Sequence, residues 1–144
     1  MPAETELSQH FANLGLPAEA QSWLLNLWNV IQVLDDAMDG DKADPAAVKQ
    51  ATWAIFQNMP LNPFYREYAA ILQPVLVVQV LKWEAANAAE AADLADARSF
   101  VWRAGYYDVV LLVCHLCGRP AGMAVMHIYG DDFDDYLAEC RGVR

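Results

Sequence analysis

Apolar residues recur every three or four positions along almost the whole chain, which is the spacing of amphipathic helices. The clearest stretch runs from Trp23 to Leu34 and continues to Met38. No stretch alternates apolar and polar residues in the manner of a half-buried strand. The pattern therefore predicts an all-α fold. The buried face of the first long helix is expected to comprise Leu24, Leu27, Trp28, Ile31, Leu34 and Met38.

Capping residues and prolines predict where the early helices begin and end. The first long helix is expected to start near residue 17 and to stop at Gly40, which suits the left-handed position after a helix. Asp44-Pro45 and Asn62-Pro63 each combine an N-cap residue with a first-turn proline, so each predicts a helix start. The inner stripe of the helix from Pro45 is expected to comprise Val48, Ala51, Thr52, Ile55 and Phe56.

The second half of the chain predicts longer helices with one clear break. Pro74 is expected to kink the helix from Pro63 without ending it, and a break is expected near Asp93 or Asp96. A long helix over 98–117, closed by Gly118, and a helical pair over 121–129 and 131–140, hinged at Gly130, follow. We therefore predict one domain over 1–144, a bundle of five or six helices with a flexible segment at 1–16.

Composition restricts the classes of function. Lys and Arg number 9 against 19 Asp and Glu, and the resulting net charge of -10 argues against a nucleic-acid groove, which needs a basic stripe. The apolar runs over 75–81 and 109–117 are shorter than the roughly 20 residues that cross a bilayer. The N-terminus lacks the basic and apolar regions of a secretory signal. We expect a soluble, cytoplasmic protein without a membrane partner.

Aspartates gather at the end of the first long helix, where Asp35, Asp36 and Asp39 precede Gly40. Carboxylates four residues apart lie on one helix face, where Mg²⁺ can bridge them. A carboxylate at the edge of a core needs a cation, a hydrogen-bonding partner or an open cleft. The three aspartates are therefore candidate Mg²⁺ ligands, and the alternative is a solvated helix end.

The spacing of these aspartates carries two family resemblances. Asp35-Asp36-Ala37-Met38-Asp39 resembles the aspartate-rich D-D-x-x-D element of class I isoprenoid synthases, which implies a substrate diphosphate held through Mg²⁺. The same residues, paired with Glu90 and Asp93, resemble the two acidic elements of small all-α nucleotide pyrophosphohydrolases. The pattern Leu34 to Asp41 followed by Leu61 to Tyr65 is also similar to uncharacterised small all-α bacteriophage proteins.

Other polar residues on the later helices are secondary candidates. Asp108, His115 and Arg119 recur at seven and four residues and predict a polar line on one helix face, for phosphate binding or acid–base chemistry. The alternative is a buried Asp–His pair that satisfies itself in the core. Glu84 and Glu90 could complete a cation site, and the alternative for both is a solvated face.

The cysteines and the second acidic cluster have structural explanations. Cys114 and Cys117 lie late in an apolar helix, so we interpret them as small core residues instead of zinc ligands completed by His127 and Cys140. The acids at 131, 132, 134 and 135 are typical of the first turn of a helix, where they complement its dipole.

Two functional hypotheses from different classes follow from these observations. In the first, the protein uses Mg²⁺ to act on a phosphate-bearing or diphosphate small molecule, with Asp35, Asp36 and Asp39 as ligands. In the second, it is a noncatalytic helical interaction or assembly protein, such as a homo-oligomer of bacteriophage origin, whose acidity serves solubility or a basic partner.

Overall fold

The structure is a computed structural model that describes residues 4–120, 122 and 133–142. Within that part of the chain it contains seven α-helices and no strand, so the all-α prediction is confirmed with a slightly higher helix count. The helices are α1 (Glu4–Asn13), α2 (Ala18–Met38), α3 (Pro45–Trp53), α4 (Pro63–Ala91), α5 (Ala97–Arg103), α6 (Gly105–Leu116) and α7 (Phe133–Cys140). A π-helical turn, Ala54–Asn58, extends α3. The predicted helix over 121–129 and the hinge at Gly130 lie outside the described residues, apart from residue 122.

The described residues divide into two compact units. The first contains residues 4–69, and the second contains the described residues from 70 onward. Helix α4 begins in the first unit and continues in the second. The prediction of one domain over 1–144 stays a prediction.

Helix α1 belongs to the core of the first unit. Leu7 and Phe11, four residues apart on one face, are fully buried. Residues 4–13 of the segment predicted to be flexible are thus helical and anchored by two buried side chains, and the flexibility of 1–16 stays a prediction. Residues this close to an N-terminus are commonly mobile unless an apolar face anchors them, and these two side chains supply that face.

The buried face of α2 is displaced toward its N-terminal half. Ala20, Trp23, Leu24, Leu27 and Val30 are buried, and Trp23 stacks on Tyr65 with ring centroids 5.7 Å apart. The predicted core positions farther along are not buried: the exposed fraction is 47% at Leu34 and 60% at Met38. The last two turns of α2 thus extend beyond the core that its first turns cover.

Helix α3 packs on α2 through alanine, and this corrects the predicted inner stripe. Ala51 and Ala54 are buried against Val30, with Val33 and Met59 beside them. The larger residues of the predicted stripe face solvent instead, together with Thr52. Small side chains let two helices approach closely, and that close contact leaves no room for the larger side chains on the same face.

Helix α4 runs for 29 residues and continues through Pro74, as predicted, but its kink does not lie at the proline as expected. Its non-helical backbone lies at Tyr68 (φ -112°, ψ 16°), six residues before the proline. In the second unit the buried face of α4 includes Leu72, Gln79 and Ala86, which recur every seven residues.

The predicted single helix over 98–117 is two helices, α5 and α6, because the chain leaves helical geometry at Ala104. Gly105 then begins α6 close to α4, where an added Cβ would lie 3.0 Å from Gln79 Cγ. Glycine both weakens a helix interior and permits this close approach. The predicted break near Asp93 and Asp96 is confirmed, since Asp96 caps α5.

Helix α4 also corrects the expectation that no segment is long and apolar enough to cross a membrane. By length and composition it passes that test, with a mean hydropathy of 1.3 over an 18-residue window that is only 17% buried. Core helices of soluble proteins pass the same test. Within the second unit α4 carries the buried polar residue Gln79 and the half-buried Lys82.

Candidate functional site

The candidate Mg²⁺ ligands lie on the part of α2 that extends beyond its buried face. Asp35 is half-buried, whereas Asp36 and Asp39 are exposed. The Asp39 backbone N–H donates to the Asp35 carbonyl oxygen at 2.9 Å, and Gly40 follows with φ +75°. Gly40 thus ends the helix as predicted, and the carboxylates project around an exposed helix end.

The aspartates belong to the first unit, whereas Glu84 and Glu90, predicted to complete a cation site, belong to the second. Among residues 4–120, 122 and 133–142, no three His, Cys, Asp or Glu side chains lie together as a metal-binding group would require. Glu84 is exposed, and Glu90 is held by other partners in the second unit. Mg²⁺ binding by Asp35, Asp36 and Asp39 therefore stays a prediction.

The predicted polar line on α6 is dispersed in the structure. Asp108 pairs with Lys82 of α4, while His115 and Arg119 are exposed. The alternative of a buried Asp–His pair is also wrong, because Asp108 pairs with Lys82 and His115 is exposed. Lys82 reaches Asp108 because α6 begins close to α4, which the spacing within α6 could not show.

A polar network that connects α4, α5 and α7 is the most developed cluster in the second unit. Arg103 Nε donates to Glu90 Oε2 at 2.8 Å, and its Nη2 donates to Asn87 Oδ1. Tyr136 donates to the same Glu90 oxygen at 3.0 Å, and its hydroxyl lies 2.8 Å from Ser99 Oγ. The solvated-face interpretation of Glu90 is therefore wrong.

The centre of the network is buried, and its hydrogen bonds join three helices. Ser99 is fully buried, and Tyr136 is 7% exposed. Burial raises the pKa of Tyr136, and the nearby Glu90 carboxylate adds to this effect. The hydroxyl therefore stays protonated and serves as a hydrogen-bond donor. Glu90 and Arg103 are half-buried, and Asn87 Nδ2 is buried without a hydrogen-bond partner among the described residues. Hydrogen bonds that cross between helices in this way restrict the relative positions of the helices they join.

Sequence reasoning missed this network because its members come from three helices. One local signal was available: Asp96 and Ser99 form a capping box, in which Asp96 accepts from the Arg98 N–H at 2.9 Å and Ser99 Oγ accepts from the Asp96 N–H. That motif identifies the start of α5. The approach of Tyr136 to Ser99 depends on tertiary packing.

The cysteines confirm the core interpretation in part. Cys114 is buried, and burial raises the pKa of its thiol, so the reactive thiolate is disfavoured. Cys117 and Cys140 are half-buried, and burial raises the pKa of each of these thiols as well. His127, considered as a fourth ligand, lies outside the described residues.

The outer face of α4 carries a row of exposed apolar side chains. We define the α4 row as Ile71, Pro74, Val77, Val78 and Leu81. The exposed fraction is 46% at Ile71, 53% at Val78 and 58% at Leu81. These three residues and Pro74 follow the spacing of three and four residues that forms a helix–helix seam, and Ala85 and Ala88 continue it. A row of this type is a candidate contact surface.

A second group of exposed apolar side chains lies on α2 and α3 in the first unit. Leu34 and Met38 lie on the end of α2, and Val48 and Ile55 lie on α3 and its π-helical extension. Phe56 is 78% exposed within the π-helical turn, which is the highest exposure among the large apolar residues of the described chain.

Comparisons with known proteins assign no family. No family model matches the chain, no curated protein is detectably similar to it, and no solved structure matches its fold.

Proposed function

We propose that this protein is a noncatalytic helical assembly protein whose copies associate through the α4 row. The observation that carries the proposal is the α4 row, a line of exposed apolar side chains on a 29-residue helix. From Ala70 to Leu81 the helix contains no charged residue, in a chain whose net charge is -10. Burying this surface removes apolar area from water without desolvating a charge.

The proposed mode of association is helix against helix. Residues at spacings of three and four lie on one stripe, and two such stripes interlock when their helices pair. The small side chains of Ala85 and Ala88 continue the stripe and permit close approach of two backbones. Lys82 adds no unpaired charge, because it already pairs with Asp108 in its own chain.

The size of the row predicts a weak, concentration-dependent interface. Five partly exposed side chains supply a few hundred Å² per copy, and two copies fall near or below the roughly 1,200 Å² at the lower end of stable interfaces. Two copies with a charge of -10 each also repel one another. Association is therefore expected at micromolar concentrations or above.

The competing hypothesis of Mg²⁺-dependent chemistry on a phosphate or diphosphate has less support. Such chemistry needs carboxylates around one cleft, to hold the metal and to orient the substrate. The exposed Asp36 and Asp39 have no acidic partner group among the described residues. The α4 row, by contrast, needs no further residues to form a contact surface.

Sedimentation velocity over a concentration series tests the proposal. The wild-type chain should shift from monomer to dimer as concentration rises. The Val78→Glu variant should remain monomeric, because it places a carboxylate in the centre of the α4 row. Val101→Glu is the matched control, since Val101 is 50% exposed on α5, away from the row, and this variant should dimerise like wild type.

Two results would contradict the proposal. One is a wild-type chain that stays monomeric at every concentration, and the other is a Val78→Glu variant that dimerises as well as wild type. Flotation with neutral phosphatidylcholine vesicles covers the membrane alternative. Binding to these vesicles that Val78→Glu abolishes would assign the row to a lipid surface and overturn self-association.

A further inference from the structure

Five large apolar side chains are exposed on the hairpin of α2 and α3, and we name them the hairpin surface. Their exposed fractions range from 41% at Val48 to 78% at Phe56. All five belong to the first unit, so this surface is separate in sequence from the α4 row. The hairpin surface consists of Leu34, Met38, Val48, Ile55 and Phe56.

Helical geometry places four of these residues on the same side of the hairpin. Helix α3 and its π-helical extension pack back along α2 through Ala51, Ala54 and Val30. At about 100° per residue, Leu34 and Met38 are displaced from that contact line in the same rotational sense as Val48 and Ile55. In an antiparallel pair of right-handed helices, equal rotation brings both sets to one side. The hairpin surface is therefore continuous across the two helices.

The π-helical turn gives the hairpin surface its most exposed aromatic side chain. Phe56 lies in the middle of Ala54–Asn58, where the backbone is wider than in an α-helix. Turns of this type are rare and frequently occur at functional sites. An aromatic ring held outward on a rigid helix provides a large contact area at a low cost in conformational entropy.

Aspartates alternate with the apolar residues of the hairpin surface. Residues 34–56 contain five aspartates and two lysines, so the local charge is negative. Asp36 and Asp39 are exposed in the last turns of α2, the same turns that carry Leu34 and Met38. Asp41 and Asp44 in the following loop are exposed as well. A partner that buries the apolar side chains must place its own charged residues near these carboxylates, which favours positive charge.

We propose that the hairpin surface binds an amphipathic helix whose polar face is rich in lysine or arginine. The apolar face of this helix packs on Phe56 and its neighbours, and its basic residues pair with the surrounding aspartates. Met38, with its flexible side chain, adapts to differently shaped apolar partners. This binding site is independent of the α4 row and does not rest on self-association.

A synthetic peptide with leucines on one helical face and lysines on the other provides the probe. Isothermal titration with the full chain should show saturable binding that weakens as salt rises. Phe56→Ser should weaken binding about tenfold, because it removes the most exposed aromatic side chain of the hairpin surface. The matched control is Trp53→Ser, which removes an aromatic residue of 55% exposure from the same segment but outside the hairpin surface, and it should leave the affinity within about twofold.

Two further peptides separate specific docking from general charge attraction. A peptide of the same composition in scrambled order keeps the charge and loses the apolar face, and a peptide with glutamate in place of lysine keeps the face and reverses the charge. Both should bind at least about tenfold more weakly than the probe. Equal binding of the scrambled peptide, equal binding of the glutamate peptide, or equal affinity of Phe56→Ser and wild type would each overturn the proposal. Ile55→Ser provides a second exposed variant if Phe56→Ser fails to fold.

Discussion

At the scale of single residues, Tyr136 decides how the last described helix is held. Its hydroxyl contacts both Glu90 of α4 and Ser99 of α5, while its ring packs against Phe100 with centroids 5.4 Å apart. The ring contact is apolar and would survive loss of the oxygen. The hydroxyl contacts would not, so the two contributions can be separated by one atom.

Tyr136→Phe is expected to lower the free energy of unfolding by about 1–3 kcal/mol, because it removes a buried donor from a charged acceptor. Urea denaturation followed by circular dichroism measures this difference. Tyr68→Phe makes the same chemical change on a half-buried tyrosine of α4 and should cost less. A Tyr136→Phe variant as stable as wild type would show that the Tyr136 hydroxyl adds no stability.

The aspartates of α2 give the second residue-scale prediction. Asp36 and Asp39 are exposed, and the proposed assembly function uses no metal, so Mg²⁺ at millimolar concentration is expected to leave the melting temperature unchanged. Differential scanning fluorimetry of wild type and the double variant Asp35→Asn, Asp39→Asn provides the check. A Mg²⁺-dependent rise in wild type that the double variant abolishes would support a metal site and reverse this conclusion.

At the scale of elements, the starts of α3 and α4 follow from local chemistry. Asp44 accepts from the Ala46 N–H at 3.2 Å, and Asn62 accepts from the Phe64 N–H at 2.9 Å. Each cap is followed by a proline. Proline has no backbone N–H, and in the first turn of a helix that N–H would have no intrahelical partner. Local chemistry did not decide which face of α3 is buried, because its apolar residues occupy more than one face.

Asp44→Ala should destabilise the protein by about 1 kcal/mol through loss of the α3 cap. Asp41→Ala is the matched control, since it removes the same charge from an exposed position in the same loop. Thermal unfolding should therefore show a lower melting temperature for Asp44→Ala than for Asp41→Ala. A similar change in both variants would attribute the effect to charge instead of capping.

At the scale of the whole molecule, the net charge of -10 acts in opposite directions on the two proposed contacts. Self-association through the α4 row brings like charges together, whereas a basic helix on the hairpin surface brings opposite charges together. Added salt screens both interactions, with a Debye length of about 30 Å at 0.01 M and about 10 Å at 0.1 M.

Raising the salt concentration over this range should strengthen dimerisation and weaken binding of the lysine peptide. Sedimentation velocity and isothermal titration, each repeated at the two ionic strengths, measure the two trends. A dimer that dissociates as salt rises would show that ion pairs, and not the apolar row, hold it together.

The sequence by itself determined the helical class, the caps at Asp44 and Asn62, the stop at Gly40 and the acidic net charge. These features depend on residues within one turn of each other or on composition alone. Tertiary structure decided that α3 packs on α2 through alanines and that the predicted long helix divides at Ala104 and Gly105. It also decided that Glu90 contacts Arg103 and Tyr136. The physical reason is that burial and pairing depend on which helix packs against which face. An apolar stripe in the sequence predicts that a surface covers it and does not identify that surface. For the α4 row and the hairpin surface, that covering surface is the partner that the experiments above are designed to identify.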